Sequence, residues 1–393
     1  MQGQKKTFWY ISCLCLALIA IHSHGKADTD ERHLEYATHL DRGLILMFQG
    51  DNNRAIEELQ KALAIEPNHY ELHHYLGMAY IDGEFWNKAI DACQRSLELM
   101  PNNIEALYSL GMAYFAMGEW AKASEPLQKA TVLSPQHARA YSALGKAQVK
   151  LRQFAEAAET LTKALELNPA SPIIYHELGT AYLNQKKYEE AIVYFKKANQ
   201  LAPSYPQPYH GLATAYMRKG EREKGRAGML RFQQLQKEVA EHERLSRLTQ
   251  AEPDNIEAWT GLGKLLLQRK NYAAAVPAFQ KCIELDAQNG SCYHGLSQAL
   301  IRLGYPVPAR EAVLNAIKIH PHESILYNTL GSTYAMQGKT PNAIKAFLKA
   351  AELDPKVPYY HLNLAKLYEQ IGRPKLAKEH YEQYEHFKGE SAQ

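Results

Sequence analysis

The residues of this sequence best able to do chemistry are its histidines, 17 in all. The stretch "HYELHH" sets His69 and His73 four apart, one helical turn, a spacing at which two imidazoles can share a metal ion. No third ligand stands near them in the sequence. His69 falls where a turn is expected and His73 where an aromatic ring would pack, so a half-buried histidine explains the stretch better than zinc does. The "HEL" at His176 lacks the second histidine that a metalloprotease helix requires. The chain contains no phosphate-cradling glycine loop, no Gly-x-Ser-x-Gly elbow and no Cys-x-x-Cys pair. These absences point away from an enzyme, and neither cofactor nor metal is expected. What remains is a row. His74, His176 and His210 lie on one 34-residue grid, and His294 rejoins it after a break.

That grid belongs to the elements that must position the row. Residues 76–90 read "LGMAYIDGEFWNKAI" and residues 110–124 read "LGMAYFAMGEWAKAS", 34 residues later. Small residues recur in phase at Gly43, Gly77, Gly111, Gly145 and Gly179, and again at Ala55, Ala89, Ala123, Ala157 and Ala191. Prolines follow at Pro67, Pro101, Pro135, Pro169 and Pro203. Gly263, Ser297, Gly331 and Ala365 resume the ladder, with Ala275, Ala309, Ala343 and Ala377 beside them. Within residues 104–137, Ile104, Leu107, Leu110, Tyr114 and Phe115 recur at three- and four-residue steps and share one helical face. Gly118 can take the left-handed conformation that ends a helix. Trp120, Ala123, Leu127, Ala130 and Leu133 then form the stripe of a second helix, which Pro135 stops. Gly111 and Ala123 are small because two antiparallel helices must approach closely there. No segment alternates with the two-residue period of a strand. The expected fold is all-α, a helix–turn–helix unit repeated.

This pattern resembles the tetratricopeptide repeat family over residues 36–391. Ten units begin at Tyr36, Tyr70, Ile104, Ala138, Pro172, Pro206, Ile256, Gly290, Ser324 and Pro358. The resemblance implies a right-handed α-solenoid, a superhelix whose first helices line a concave groove for peptides or partner proteins. The sixth unit departs from pattern with Gly225 and Ala213, the eighth with "YPVPA", and Pro126 and Pro277 predict local kinks. The sixth and seventh starts are 50 residues apart instead of 34. The text between them is rich in helix formers and poor in Gly, Ser and Pro, so residues 226–255 read as an elongated helix rather than a loose tether. It joins six repeats (36–225) to four (256–391). Such an array buries each repeat against its neighbours, so 393 residues need not mean several globular domains.

The first 27 residues are a separate object. Lys5 and Lys6 precede an apolar run from Phe8 to Ile21, and small and polar residues follow. That run is short for a membrane span and matches a secretory signal cut before Asp28; the competing reading is an uncut N-terminal anchor. Removing residues 1–27 takes Lys5, Lys6 and Lys26 with it and no acid, which leaves bases and acids equal in number. A nucleic-acid partner would call for a basic excess, so none is expected. Cys93 and Cys282 sit at helix-packing places, and Cys282 and Cys292 flank one inter-repeat turn, where an oxidised pair is conceivable outside the cytoplasm.

By the resemblance, the second, fifth, ninth and thirteenth places of each first helix face the groove. The fifth place holds His74, Tyr108, His176, His210, His294 and Asn328. In the early repeats its neighbours are Met78, Asp82, Glu105 and Met112; from the fourth to the eighth they become Arg139, Lys146, Lys150, Arg218, Lys264 and Arg302, against only Glu177 and Glu257. An extended partner segment is expected along this face with its acidic part over the basic middle, unless the charges are simply solvated. The lysine and asparagine clamp for a C-terminal carboxylate that some members carry is not matched here. The expected function is a non-enzymatic scaffold for a protein or peptide partner, exported to the periplasm or beyond and used in assembling an envelope or secreted complex. Its rivals are an accessory, substrate-presenting subunit of an enzyme complex such as a glycosyltransferase or peptidase, and a self-associating structural protein.

Overall fold

The computed structural model of the chain describes residues 27–390, and the N-terminal run that carries the signal or anchor reading lies outside them. Among the described residues there are helices and no strand. The chain parts between Gln233 and Gln234 into two compact units, and each is an α-solenoid of paired helices. The first contains α1 (Ala27–Gln49), α2 (Asn52–Ile65), α3 (Tyr70–Asp82), α4 (Trp86–Leu99), α5 (Ile104–Ala116) and α6 (Trp120–Leu133). It continues with α7 (Ala138–Lys150), α8 (Phe154–Leu167), α9 (Pro172–Asn184), α10 (Tyr188–Leu201) and α11 (Gln207–Lys219). The division falls within α12 (Arg222–Ala251), whose 30 residues span roughly 45 Å. The second unit then holds α13 (Ile256–Gln268), α14 (Tyr272–Leu285), α15 (Gly290–Arg302), α16 (Pro306–Ile319) and α17 (Ser324–Met336). It ends with α18 (Thr340–Leu353), α19 (Pro358–Gln370) and α20 (Pro374–Glu390). No described helix is long and apolar enough to cross a membrane.

The turn inside each repeat uses the left-handed region at one fixed place. Gly118, Gly220, Gly304, Gly338 and Gly372 occupy it with φ between 69° and 95°. Glu84, Arg152, Lys186 and Lys270 take the same place with φ of 57° to 63°, a conformation that costs an L-residue roughly 1–2 kcal/mol. Packing of the two helices therefore overrides local preference in those four repeats. α6 and α14 run on as single helices through Pro126 and Pro277.

The glycine of each first helix makes room for a side chain of the second. A Cβ on Gly111 would stand 2.4 Å from Leu127 Cγ, and one on Gly179 2.7 Å from the Phe195 ring. Ala123, Leu127, Ala191 and Phe195 are all fully buried. Within each unit, second helices such as α4 and α14 touch the first helix of their own repeat and of the next, whereas first helices also touch one another, as α3 with α5 and α13 with α15. A layer whose members touch is the shorter, inner one. Within each unit the first helices form it.

Two departures from a purely apolar core stand out. Cys282 of α14 and Cys292 of α15 form a disulfide across the seam between the seventh and eighth repeats, with Thr260 Oγ1 within 3.3 Å of both sulfurs. Asn199 of α10 has both amide atoms buried without a partner, at the place where other repeats carry Leu63, Leu97, Leu165, Ile283 and Ile317. A buried amide with no hydrogen bond costs about 1–3 kcal/mol. Asn199→Leu is accordingly expected to raise the urea midpoint of the full chain, and an unchanged or lower midpoint would contradict this packing.

Candidate partner-binding face

The inner layer decides what the histidine row can do. His74 is buried on α3, and its Nε2 lies 3.3 Å from Ser109 Oγ on α5. His294 on α15 repeats the arrangement, Nε2 lying 3.2 Å from Thr329 Oγ1 on α17. Asn328 on α17 accepts a hydrogen bond from Asn363 Nδ2 on α19 at 2.9 Å. All three bonds join the fifth place of one first helix to the sixth place of the next. They form a polar seam that fastens neighbouring repeats.

His176 occupies the same fifth place but finds Gly211 at the sixth, so no hydroxyl answers it and its Nδ1 is buried without a partner. Gly211 is dictated by Phe195, because a Cβ there would sit 2.4 Å from the ring. The same Phe195 ring lies 5.7 Å from that of His176, with Tyr205 at 5.6 Å on another side. Burial pushes His74 down to about 4. Burial, then Lys146, His210 and Lys150, push His176 to about 4 as well, and burial lowers His294. His210 is the exposed member, its ring 5.0 Å from Phe232.

The charges of the face divide sharply. Glu105 accepts hydrogen bonds from Arg139 Nη2 at 3.0 and 3.1 Å and lies 3.2 Å from His137 Nε2. Burial pushes this carboxyl up, but the His137 bond and the Arg139 charge outweigh it and hold it below the usual range. The Arg139 guanidinium also lies over the Tyr108 ring, 5.1 Å from its centre. Glu105, His74 and His137 help line a recess of about 460 Å³ with Tyr70, Glu71 and Met100. Met78, Asp82 and Met112 are half-buried on the same helices.

Further along the first unit the pattern changes. Lys146 is half-buried and Lys150 and Arg218 are exposed, and no carboxylate pairs with any of them among the described residues. The nearest acid, Glu177 on α9, is pushed towards its neutral form by burial, against the pull of Lys146 and Lys150. In the second unit Lys264 and Arg302 are likewise exposed and unpaired. Sequence reasoning named the fifth-place residues but not Ser109, Thr329, Asn363 or His137, which complete their contacts. For Ser109, Thr329 and Asn363 the available signal was an offset of 35, one more than the repeat; His137 carried none.

Profiles described as tetratricopeptide repeat match residues 142–206, 182–231 and 256–289, and one described as TPR repeat matches 43–82 and 331–372. A profile for anaphase-promoting complex, cyclosome, subunit 3 matches residues 84–164. Small glutamine-rich tetratricopeptide repeat-containing protein 2 of Mycosarcoma maydis is 28% identical over 109 residues, 28% of this chain and 31% of that protein. The match therefore spans about a third of that relative. Formate-dependent nitrite reductase complex subunit NrfG of Escherichia coli O157:H7 is 24% identical over 161 residues, 40% of this chain and 79% of that one. Among solved structures, the MamA protein is 30% identical, with 43% of this chain and 93% of that chain covered and a TM-score of 0.40.

Proposed function

The chain belongs to the tetratricopeptide repeat family, and on that basis we propose that it is a protein-interaction scaffold whose first unit captures an acidic, extended segment of a partner protein. The observation that carries this reading is the contrast in charge pairing along the inner layer. Glu105 and Arg139 satisfy each other, while Lys146, Lys150 and Arg218 pair with no carboxylate among the described residues. Three such cations, Lys146 and Lys150 on α7 and Arg218 on α11, attract an acidic segment and cost little to desolvate, because exposed charge is only partly stripped of water.

The scaffold works outside the cytoplasm. The signal-like start of the chain supports this, and so does the disulfide between Cys282 and Cys292, a bond that persists in oxidising compartments. Assembly or positioning of an envelope or secreted complex is the role that fits both. A second reading has its own support. The likeness to NrfG, named as a subunit of a reductase complex, favours an accessory subunit, and co-purification of an enzyme with the native protein would select it.

The test of the first reading is a fluorescein-labelled glutamate-rich peptide compared with its glutamine counterpart. The glutamate peptide is expected to bind more tightly and to lose that advantage between 0.05 and 0.5 M salt, since exposed charges are screened over about 10 Å at 0.1 M. Equal affinity for the two peptides would refute the reading.

A further inference from the structure

At the end of the second unit, α20 meets α19 through a stack of rings. His380 lies parallel to Tyr368, centres 5.5 Å apart, and 5.6 Å from His361, which in turn lies 5.6 Å from Phe387. Hydrogen bonds fix where the protons are. His361 Nε2 is 2.8 Å from the Pro355 carbonyl, which only accepts, so Nε2 carries the hydrogen. His361 Nδ1, bare in the neutral ring, is 3.3 Å from His380 Nδ1. His380 must therefore donate, and it shares the same hydrogen with Gln383 Oε1 at 3.0 Å. One proton holds the edge between the two imidazoles.

The two rings respond differently to acid. A proton added to His380 goes to Nε2; the bond survives, and the charge lies on the face of Tyr368, where a cation is welcome. A proton added to His361 has only Nδ1 to occupy. There it meets the His380 N–H head-on, beside a like charge. His361 is 4% exposed, so water cannot replace the lost bond. Burial lowers His380 first and His361 lowers it further, while Glu379 on α20 acts the other way.

Several other polar groups at this seam have partners of their own. The turn that supplies Pro355 also carries Asp354 and Lys356. α17 reaches α19 through Ser324, bonded to the Tyr360 hydroxyl. Lys349 pairs with Glu352 on α18, Tyr381 donates to Glu369, and Lys388 pairs with Glu385.

We propose that His361 and His380 form a proton-operated latch, in which α20 stays docked while the pair carries at most one extra proton and releases when the pair takes a second. The device would uncouple the last helix of the array in acidic surroundings, and it stands independently of the partner reading above.

Hydrogen–deuterium exchange of the full chain tests it, with rates over residues 374–390 corrected for the intrinsic effect of pH. Release coupled to one proton makes the open fraction rise roughly tenfold per pH unit below the titration. Protection of α20 is therefore expected to fall by about that factor per unit between pH 6.5 and 5, while α13–α15 change less. His361→Gln and His380→Gln each keep a hydrogen-bonding side chain that takes no proton, and each should hold α20 protected over the same range. If one variant fails to dock at pH 8, the other decides. Unchanged wild-type protection down to pH 5 overturns the latch, as does an equal fall in both glutamine variants.

Discussion

Between pH 7 and pH 4.5 the first unit is expected to lose several kcal/mol of stability, well before its carboxylates are fully protonated. His74 and His176 have folded values of about 4, against an unfolded value of about 6.5. Between those limits the unfolded chain binds more protons than the folded one. The contribution is fully present above 6.5, falls as the pH drops through the window, and changes no further below 4. Each group accounts for on the order of 3 kcal/mol, a large share of the 5–15 kcal/mol typical of a folded domain. Urea titrations of wild type and of the double variant His74→Gln, His176→Gln, at pH 7 and 4.5, measure the effect. The variant should lose far less stability on acidification. Identical losses in both proteins would show that these imidazoles are not held neutral by burial.

The glycines of the first helices supply the other large effect. Helix propensity alone says that Gly111→Ala should stabilise by about 1 kcal/mol. The packing says otherwise, because the added methyl stands 2.4 Å from Cγ of the fully buried Leu127, an atom near the backbone with nowhere to move. Overpacking of this kind costs about 1–3 kcal/mol, and more for a branched side chain. Gly111→Ala is expected to be destabilising on balance, and Gly111→Val strongly so. The cause is identified by rescue: Leu127→Ala costs about 2–5 kcal/mol alone, yet in combination with Gly111→Val the losses should fall well short of their sum. A stabilised Gly111→Ala protein, or strict additivity in the double variant, would mean that propensity governs this place instead.

Much of this architecture can be read from the 34-residue ladder, because every rung has a local physical cause. Pro135 must stop a helix, the stripe from Ile104 to Phe115 must face a core, and the scarcity of Gly, Ser and Pro after Gly228 calls for a continuous helix. What the ladder hides is the contact between repeats. The bond from His74 to Ser109 runs over an offset of 35, so a comparison in strict register does not show it. His74 and His294 belong to the seam because a hydroxyl stands opposite each, whereas His176 is buried without one and His210 remains at the surface. Gly111 reads as a place of close helix approach; its detailed role, making room for Leu127, requires the side-chain geometry. Cys282 and Cys292 occupy ordinary packing places, filled by Ala130 and Ala140 at the seam between the third and fourth repeats, so spacing alone left their pairing open. The basic residues of the inner layer could be counted from the sequence. That Glu105 and Arg139 cancel while Lys146, Lys150 and Arg218 do not depends on which side chains meet.

The most direct test is therefore charge reversal on the inner layer of the first unit. Lys146→Glu, Lys150→Glu and Arg218→Glu, made together, replace three cations that form no salt bridge among the described residues, so the helical circular dichroism should stay intact. Binding of the glutamate-rich peptide, followed by fluorescence anisotropy at 0.1 M salt, is predicted to fall by at least a hundredfold, and a lysine-rich peptide of equal length should gain what the acidic one loses. Undiminished binding of the glutamate-rich peptide by this folded triple variant would contradict the account and move the partner site off the inner face.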